Sequence, residues 1–354
     1  PATTPVPGGT MDDPQAHGVA EEDATMMSQG TPYRAPDVSF IMAAYNAAPF
    51  VEAAINSALN QTDVSVEVIV VDDASTDGTR DIVAAMAAAD RRVMLIRRAA
   101  NGGPSAARNR ALAKASGTWA AILDCDDLIA PERSRRLIDL AVATSADVVA
   151  DNFERFDDKG GASGTSGATM LPRELEPYVL SVDIASFLRG NTLFAREKYM
   201  FGAVKAMFRS QFLWNAGITH VEGVHFGEDF LFCMACLLAG ARFIVSSESY
   251  YRYRMHTASV SWRMNSIHLQ QIRQGMEDAR FEERCDTASR TQNALAAYIR
   301  GLDQAEVFTG IVERAKAGEI ADAAKLTATH PEVWPLVARF GSAAGFKRLR
   351  WLSR

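Results

Sequence analysis

An apolar run in the sequence ends in a cluster of aspartates. Residues 121–128 read Ala-Ile-Leu-Asp-Cys-Asp-Asp-Leu, which puts carboxylates at Asp124, Asp126 and Asp127. Carboxylates spaced Asp-x-Asp at the end of a strand can hold one hard divalent cation, and oxygen ligands favour Mg²⁺ or Mn²⁺ that shares its shell with substrate phosphates. Such a cation can neutralise a diphosphate leaving group. The same residues also fit an acidic turn that caps the next helix, so the segment alone leaves two interpretations open.

Polar side chains also follow two earlier apolar runs. Tyr45 and Asn46 come after residues 38–44, and Asp72 and Asp73 come after the β-branched run 64–71. Apolar runs alternate here with segments of helical spacing, which indicates a parallel sheet with right-handed crossovers. Ligands of such sheets bind outside the carboxyl ends of the strands, so we expect these residues and the aspartate cluster to meet at one rim. The predicted strands are residues 38–44, 64–71, 93–97, 119–123 and 147–152, and the predicted helices are 51–60, 80–89, 106–116 and 131–144.

Length and composition bound the kind of protein. The chain has 354 residues, 48% hydrophobic and 23% charged, which is enough for one large domain with appendages or for two domains. Its net charge of -6 excludes a nucleic-acid-binding protein. Four cysteines are too few for a disulfide scaffold and indicate a reduced, cytoplasmic protein; Cys233 and Cys236 fit either small apolar residues on a buried helix or a redox pair. No apolar run reaches the roughly 18 residues needed to span a bilayer.

The rest of the chain carries weaker patterns. Residues 1–37 are rich in Pro, Gly, Thr and acidic side chains without periodicity, which predicts a disordered leader, and the Gly/Ser-rich residues 157–169 predict a mobile loop. Short helices are predicted at 182–189, 211–216 and 230–239 and a strand at 242–245, and from about residue 265 the pattern is helical with breaks near Gly318 and Pro331. Residues 339–354 are basic with interleaved aromatics, and fit equally a helix on an anionic membrane surface and a helix packed on its own domain.

Five motifs follow one another along the chain. They are Ala-Ala-Tyr-Asn at 43–46, Val-Val-Asp-Asp-Ala-Ser-Thr-Asp-Gly-Thr at 70–79, Asn-Gly-Gly-Pro-Ser-Ala-Ala-Arg-Asn at 101–109, Leu-Asp-Cys-Asp-Asp at 123–127 and Gly-Glu-Asp at 227–229. With these motifs, residues 38–262 resemble an inverting glycosyltransferase of family 2 with the GT-A fold. A finer likeness, to bacterial exopolysaccharide glucosyltransferases of the succinoglycan type, is carried by residues 147–152, 202–208 and 227–230.

The resemblance implies a fold and a division into regions. The fold is α/β, with a Rossmann-like, mostly parallel sheet flanked by helices. A nucleotide-binding half at residues 38–152 is followed by an acceptor half at 153–262. Beyond the resemblance, the helical pattern predicts a helical C-terminal region at residues 263–354, for which membrane association is one of the two interpretations left open by its basic end.

The resemblance also implies the residues of the donor side. Asp126 contacts the metal, Mg²⁺ or Mn²⁺, and Asp124 holds the ribose or a metal-bound water. Arg108 faces the diphosphate or the base of the nucleotide, since guanidinium donors match phosphate geometry, and His256 binds phosphate or completes the metal shell. Each role has a competing interpretation. The aspartates could instead cap a helix, Arg108 could be a solvated arginine, and His256 could be structural. The implied nucleotide-sugar-binding residues are Ala43, Tyr45, Asn46, Asp72, Asp73, Arg108, Asp124, Cys125, Asp126, Arg254, His256 and Ser259, and the implied metal ligands are Asp126, Asp124 and His256.

On the acceptor side, two adjacent acids are implied. Asp229 is the general base that takes the proton of the acceptor hydroxyl, and Glu228 hydrogen-bonds the acceptor or tunes Asp229. The competing interpretation is that both acids have no catalytic role and lie in the first turn of a helix, where the helix dipole stabilises negative charge.

Together these features predict a metal-dependent transferase. It would move a hexose from a UDP-sugar, with UDP-glucose favoured by the resemblance, to a lipid-linked oligosaccharide at the cytoplasmic face of the inner membrane. Two alternatives are a non-catalytic sugar-nucleotide-binding protein and a sugar nucleotidyltransferase. The absence of Gly-x-Gly-x-x-Gly after the first strand speaks against a dinucleotide-binding oxidoreductase.

Overall fold

The first half of the chain folds as strands that alternate with helices, as the sequence predicts. A computed structural model describes residues 35–157, 169–171, 178–194, 199–255 and 265–340. Strands β1 to β4 pair in parallel in the order β3-β2-β1-β4. They are β1 (Val38–Ala44), β2 (Val66–Asp72), β3 (Val93–Arg97) and β4 (Trp119–Ile122), and the helices of this half are α1 (Val51–Leu59), α2 (Thr79–Ala89), α3 (Gly103–Leu112) and α4 (Arg133–Thr144).

Beyond β4 the sheet is mixed rather than parallel. The further strands are β5 (Leu128–Ile129), β6 (Val148–Phe156), β7 (Val179–Val182), β8 (Met207–Arg209) and β9 (Phe243–Arg254). The order continues β4-β8-β6-β9-β5, with β7 also paired to β9. Only β6 and β9 pair in parallel here, and β8 runs antiparallel to both β4 and β6. The expected α/β sheet with flanking helices is confirmed, but "mostly parallel" describes only its first half, because the strand–helix alternation behind that expectation ends after Asn152.

The core lies on both faces of the sheet. Along β1, Phe40 and Met42 belong to one buried cluster and Ile41 belongs to the other. Successive side chains of a strand point to opposite faces, so a strand covered on both sides is apolar throughout. This is why β1 and β2 read as continuous apolar runs.

Two strands are longer than the sequence indicates. The predicted strands 147–152 and 242–245 extend to Phe156 and Arg254, and they stay paired to those ends. Their pairing shifts register on both sides of Asn152, and the Asn152 side chain accepts hydrogen bonds from the backbone of Met170 and Leu171. Asn152, at which the sequence pattern predicts the end of the strand, therefore lies in a β-bulge-like irregularity, and the strand continues beyond it.

The C-terminal helices pack directly on the sheet-bearing part. Gly275 of one helix lies against Leu231, where an added Cβ would come within 2.5 Å of Leu231 Cδ1. Leu269, Leu295 and Leu302 belong to the same buried cluster as Ile41, so one core runs across the boundary expected at residue 262. The remaining helices are α5 (Ile184–Asn191), α6 (Ser210–Ala216), α7 (Glu228–Leu238), α8 (Ser266–Asp278), α9 (Phe281–Arg284), α10 (Ser289–Lys316), α11 (Ile320–Thr329) and α12 (Trp334–Phe340).

The expectations about the helix breaks and the two cysteines can be compared with the structure, whereas those about the two ends of the chain cannot. The predicted helix breaks are confirmed by Gly318, with φ +83°, and by a 3-10 turn at Pro331–Val333. Cys233 and Cys236 are buried on α7, and burial raises the pKa of both thiols, which favours the apolar interpretation. The leader through Arg34, most of the Gly/Ser loop and the basic end from residue 341 lie outside the described residues. Among the helices that are described, none combines the length and the hydropathy of a membrane span.

Candidate active site

The aspartate cluster lies just beyond the end of β4. Carboxylate oxygens of Asp124, Asp126 and Asp127 all lie within 4.8 Å of one another. Asp127 is buried and accepts hydrogen bonds from the Tyr251 hydroxyl at 2.7 Å and from the backbone N–H of Arg254 at 2.7 Å. Burial and the neighbouring carboxylates raise its pKa well above the usual value. The carboxylate of Asp127 is thus engaged by hydrogen bonds within the protein. The carboxylates of half-buried Asp124 and Asp126 offer oxygen ligands of the kind that a hard divalent cation prefers.

Arg108 connects this cluster to the start of α7. It is 4% exposed, and its guanidinium donates from Nη2 to Asp124 Oδ1 at 2.8 Å and from Nη1 to Glu228 Oε1 at 2.8 Å and Asp229 Oδ1 at 3.0 Å. Arg108 lies on α3, which begins at Gly103, three residues earlier than predicted. The reason is Asp73, whose carboxylate accepts from the backbone N–H groups of Gly102 and Gly103 and so caps the helix.

Lys205 completes the arrangement from the opposite side. Its ammonium lies 2.8 Å from Asp124 Oδ2 and 2.5 Å from Asp229 Oδ2. Each of these two carboxylates therefore gives one oxygen to Arg108 and the other to Lys205. We call Arg108, Asp124, Lys205 and Asp229 the charge ring. It joins the end of β4 to the start of α7 through two cations.

The charge ring sets the protonation of its members. Burial would raise the pKa of Asp124 and Asp229, but Lys205 and Arg108 outweigh it and hold both below their usual values. Burial would lower the pKa of Lys205, and the two carboxylates raise it instead. Glu228 has a raised pKa because it is buried beside Asp229. At neutral pH the ring is thus fully ionised, and the two adjacent acids have different proton affinities.

The start of α7 depends on a glycine. Gly227 has φ +81°, and an added Cβ would come within 2.7 Å of Ile272 Cγ1. A left-handed backbone conformation and close contact with α8 are both easy only for glycine. This conformation presents Glu228 and Asp229 in the first turn of α7.

The residues predicted at the ends of β1 and β2 lie at one rim, as expected for the carboxyl ends of paired parallel strands. Tyr45 is 50% exposed, and Asn46, with φ +49°, accepts from the backbone N–H of Thr76. Asp72 is buried, bonded to Arg80 Nε at 2.9 Å and to the backbone N–H of Ser75 at 3.2 Å. Asp72 and Asp73 thus have structural partners, with Asp73 as a helix cap, and their nucleotide-binding role stays a prediction.

The remaining predicted residues are placed as follows. Arg254 is 7% exposed, donates from Nε to the Asp126 carbonyl at 2.6 Å, and lies over the rings of Phe50 and Phe156. Half-buried Cys125 has its pKa raised well above the usual value by burial and by the flanking aspartates. Ala43 is half-buried at the end of β1. His256 and Ser259 lie outside the described residues, so the proposed contribution of His256 to the metal shell stays a prediction.

One residue of the site, Lys205, was missed from the sequence, and His220 lies beside the site as a structural residue. Lys205 stands inside the run Ala-Val-Lys-Ala-Met-Phe, and a charge within an apolar run that enters a sheet needs a buried partner, which is the signal that could have found it. His220 is buried and stacked on Phe232 with ring centroids 4.0 Å apart, and its ring nitrogens have no hydrogen-bond partner among the described residues. Nothing in its sequence context marks it.

Comparisons with known proteins agree with the fold. The family model for glycosyl transferase family 2 matches residues 39–202. The succinoglycan biosynthesis protein ExoO of Rhizobium meliloti is 34% identical over 298 residues, which cover 84% of this chain and 83% of that protein. ExoU of the same organism is 29% identical and covers 67% of each chain.

Two solved structures are similar in fold. S. aureus TarS 1–349, in complex with UDP-GlcNAc, has a TM-score of 0.54 at 20% identity and covers 84% of this chain and 92% of its own. Mannosyltransferase PcManGT from Pyrobaculum calidifontis, in complex with GDP-Man and Mn²⁺, has a TM-score of 0.54 at 20% identity and covers 91% and 85%.

Proposed function

Because this chain belongs to glycosyltransferase family 2, we propose that it transfers a hexose from a UDP-sugar to a hydroxyl of a lipid-linked oligosaccharide, with inversion at the anomeric carbon. The names of the relatives ExoO and ExoU support a place in exopolysaccharide synthesis. UDP-glucose as donor rests on the sequence resemblance. Neither a sugar nucleotidyltransferase nor a non-catalytic binding protein is favoured by the family match.

One observation carries the proposal. Arg108 hydrogen-bonds both Asp124, at the aspartate cluster, and Asp229, at the start of α7. The carboxylate proposed for the donor side and the carboxylate proposed as the base therefore contact the same guanidinium. This proximity supports an inverting transfer, in which the base and the leaving group lie on opposite sides of the anomeric carbon.

In the proposed reaction, Asp229 acts as the base. The acceptor hydroxyl donates its proton to Asp229 while its oxygen forms a bond to the anomeric carbon of the donor. The bond between that carbon and the β-phosphate oxygen breaks in line, and UDP leaves with the electron pair. Glu228, whose Oε1 accepts from Arg108, lies beside Asp229 and can hold the acceptor hydroxyl. An α-linked donor gives a β-linked product.

Asp124 and Asp126 would hold the divalent cation, because their carboxylates have the hard oxygen chemistry that Mg²⁺ or Mn²⁺ prefers. When bound, such a cation neutralises charge on the diphosphate that leaves. Tyr45, exposed at the end of β1, offers a flat surface for the nucleobase at the same rim.

A lipid-linked acceptor lies in a membrane, and this suggests membrane contact as the role of the basic residues 339–354. An enzyme that acts on a lipid-linked glycan gains from contact with the cytoplasmic face of the inner membrane. Residues 339–354 contain four arginines and one lysine interleaved with aromatic side chains, a composition that suits an anionic surface. We propose this as a peripheral contact.

Release of UDP from a panel of UDP-sugars tests the function. The assay uses the full chain with Mn²⁺ or Mg²⁺, then with EDTA, and with membrane lipid extract as acceptor. We expect metal-dependent release from one donor, stimulated by the extract. Absence of both release and UDP binding would contradict the proposal, whereas metal-dependent UDP binding without release from any donor would favour the non-catalytic alternative.

A further inference from the structure

The charge ring leaves no carboxylate oxygen of Asp229 without a cation. Oδ1 accepts from Arg108 at 3.0 Å, and Oδ2 lies 2.5 Å from the Lys205 ammonium. A carboxylate whose two oxygens are both held by buried cations is a weak proton acceptor. If Asp229 is the base of the proposed function, one of these contacts has to open before an acceptor hydroxyl can bind it.

Lys205 is the cation that can move. Arg108 contacts Glu228 in addition to the two ring carboxylates, and its planar guanidinium on α3 cannot leave one partner without disturbing the others. Lys205 carries its charge on a flexible four-carbon stem and contacts only Asp124 and Asp229 among the ion pairs of the described residues. A rotation of its side chain is enough to open the ring.

The main chain of Lys205 is fixed, so this motion is confined to the side chain. Its carbonyl accepts from Nη2 of Arg133, a fully buried arginine that also bonds Asp151. The next carbonyl, of Ala206, accepts from the backbone N–H of Ile122 in β4 at 3.2 Å. The stem of Lys205 is therefore anchored beside Asp124, within reach of anything bound at the aspartate cluster.

We propose that Lys205 is a further substrate-binding residue, whose ammonium leaves Asp229 to bind a phosphate of the donor. The inference rests on the proposed function and adds an order to it. A diphosphate at the aspartate cluster offers the ammonium more negative charge than Asp229 does, and ammonium groups bind phosphate readily as point charges. Oδ2 of Asp229 then becomes available to the acceptor hydroxyl. The donor thus prepares the base, and the acceptor binds second.

Comparison of UDP with uridine tests this directly. Binding of each to the full chain is measured by calorimetry at a fixed Mn²⁺ concentration, for the natural protein and for Lys205→Met, which keeps the apolar stem. Loss of one charged hydrogen bond to phosphate should weaken UDP binding roughly 10- to 100-fold. Uridine binding should change by less than about twofold, because uridine has no phosphate for Lys205 to bind. Lys114→Met, the same change at an exposed position on the surface, serves as the matched control.

A purely structural role of Lys205 predicts a different pattern. Equal weakening of UDP and uridine, or no weakening of either, would overturn the inference. Lys205→Arg keeps the charge, and we expect it to retain most of the UDP affinity should Lys205→Met fail to fold. A structure of the natural protein with UDP gives an independent answer: Nζ should lie on a phosphate oxygen and away from Asp229, and Nζ still on Asp229 would refute the inference. A natural protein that binds no UDP would contradict the proposed function itself.

Discussion

Arg108 and Asp124 are joined by a hydrogen bond of 2.8 Å between Nη2 and Oδ1, although one lies on α3 and the other beyond β4. The same guanidinium bonds the two acids that begin α7. Three elements that are separate in the sequence therefore meet at one buried cation. Single substitutions here should therefore have distinct effects: some should lower kcat, and others should lower the free energy of unfolding.

Asp229→Asn should abolish transfer while leaving the donor bound. The amide cannot take the acceptor proton, and general-base catalysis contributes about 10²- to 10⁴-fold, so kcat should fall by at least about 10²-fold. UDP binding should not weaken, because the amide keeps the shape of the side chain and no longer carries the charge that holds Lys205. UDP release and calorimetry measure the two effects. Asp139→Asn on the exposed face of α4 is the control, and full activity of Asp229→Asn would remove Asp229 from the mechanism.

Arg108→Met should destabilise the fold. It removes the buried cation shared by Asp124, Glu228 and Asp229 and leaves three partly buried carboxylates with Lys205 alone. Breaking a buried ion pair from one side costs about 3–5 kcal/mol. Urea unfolding at neutral pH measures this loss. If the buried charges are the cause, adding Glu228→Gln to Arg108→Met should recover part of the stability, and strictly additive losses would argue against the network.

Gly227→Ala should impair activity and stability together. The substitution puts a Cβ in a left-handed conformation and within 2.7 Å of Ile272, so the first turn of α7 has to shift. Gly240, at the other end of α7, also has a positive φ, +87°, but a Cβ there meets nothing within 4 Å. Gly240→Ala therefore carries only the backbone cost, of order 1 kcal/mol. Chemical denaturation and kcat of the two variants test this, and equal effects on kcat would mean that the position of α7 does not matter.

Stability should fall in acid because of His220. Burial, followed by the charge of Arg108, lowers its pKa from 6.5 to about 3. Between these two values the unfolded chain binds one more proton than the folded chain, so the free energy of unfolding decreases as pH falls, by up to about 1.4 kcal/mol per pH unit from this group. His220→Phe keeps the stack on Phe232 and removes the titration, and should flatten the dependence below pH 6.5. Urea unfolding across that range measures it, with His330→Phe as control; an unchanged slope would exclude His220 as its source.

The sequence predicts the fold of residues 38–152 well for a physical reason. The elements of residues 38–152 alternate with strong apolar periodicity, and each strand end carries a distinctive polar residue. Asp124, Arg108 and Asp229 were identified because motifs place them, and the structure brings them into contact. Local pattern and tertiary arrangement agree in this part of the chain.

The rest of the site depends on contacts that no local pattern encodes. β8 has three residues, too few for a periodicity, so neither its antiparallel direction nor the place of Lys205 beside Asp124 could be predicted. Asp73 caps α3, a helix 30 residues further along, rather than the helix that directly follows it. Gly275 fits against Leu231 only because two distant helices meet there. Each of these is a long-range relationship, which spacing along the chain does not reveal.

The position of β8 between β4 and β6 has a consequence for synthesis on the ribosome. β6 is translated before β8, yet β8 is one of its neighbours in the sheet and its other neighbour, β9, is translated later still. The first four strands can pair while the chain is still being made, but β6 has no adjacent strand to join until residues 207–209 have emerged. Lys205 and Asp229 emerge in the same late stretch as these sheet neighbours. A nascent chain therefore holds Arg108 and Asp124 well before it holds Lys205 and Asp229, and the candidate active site is assembled only after residue 229 has emerged.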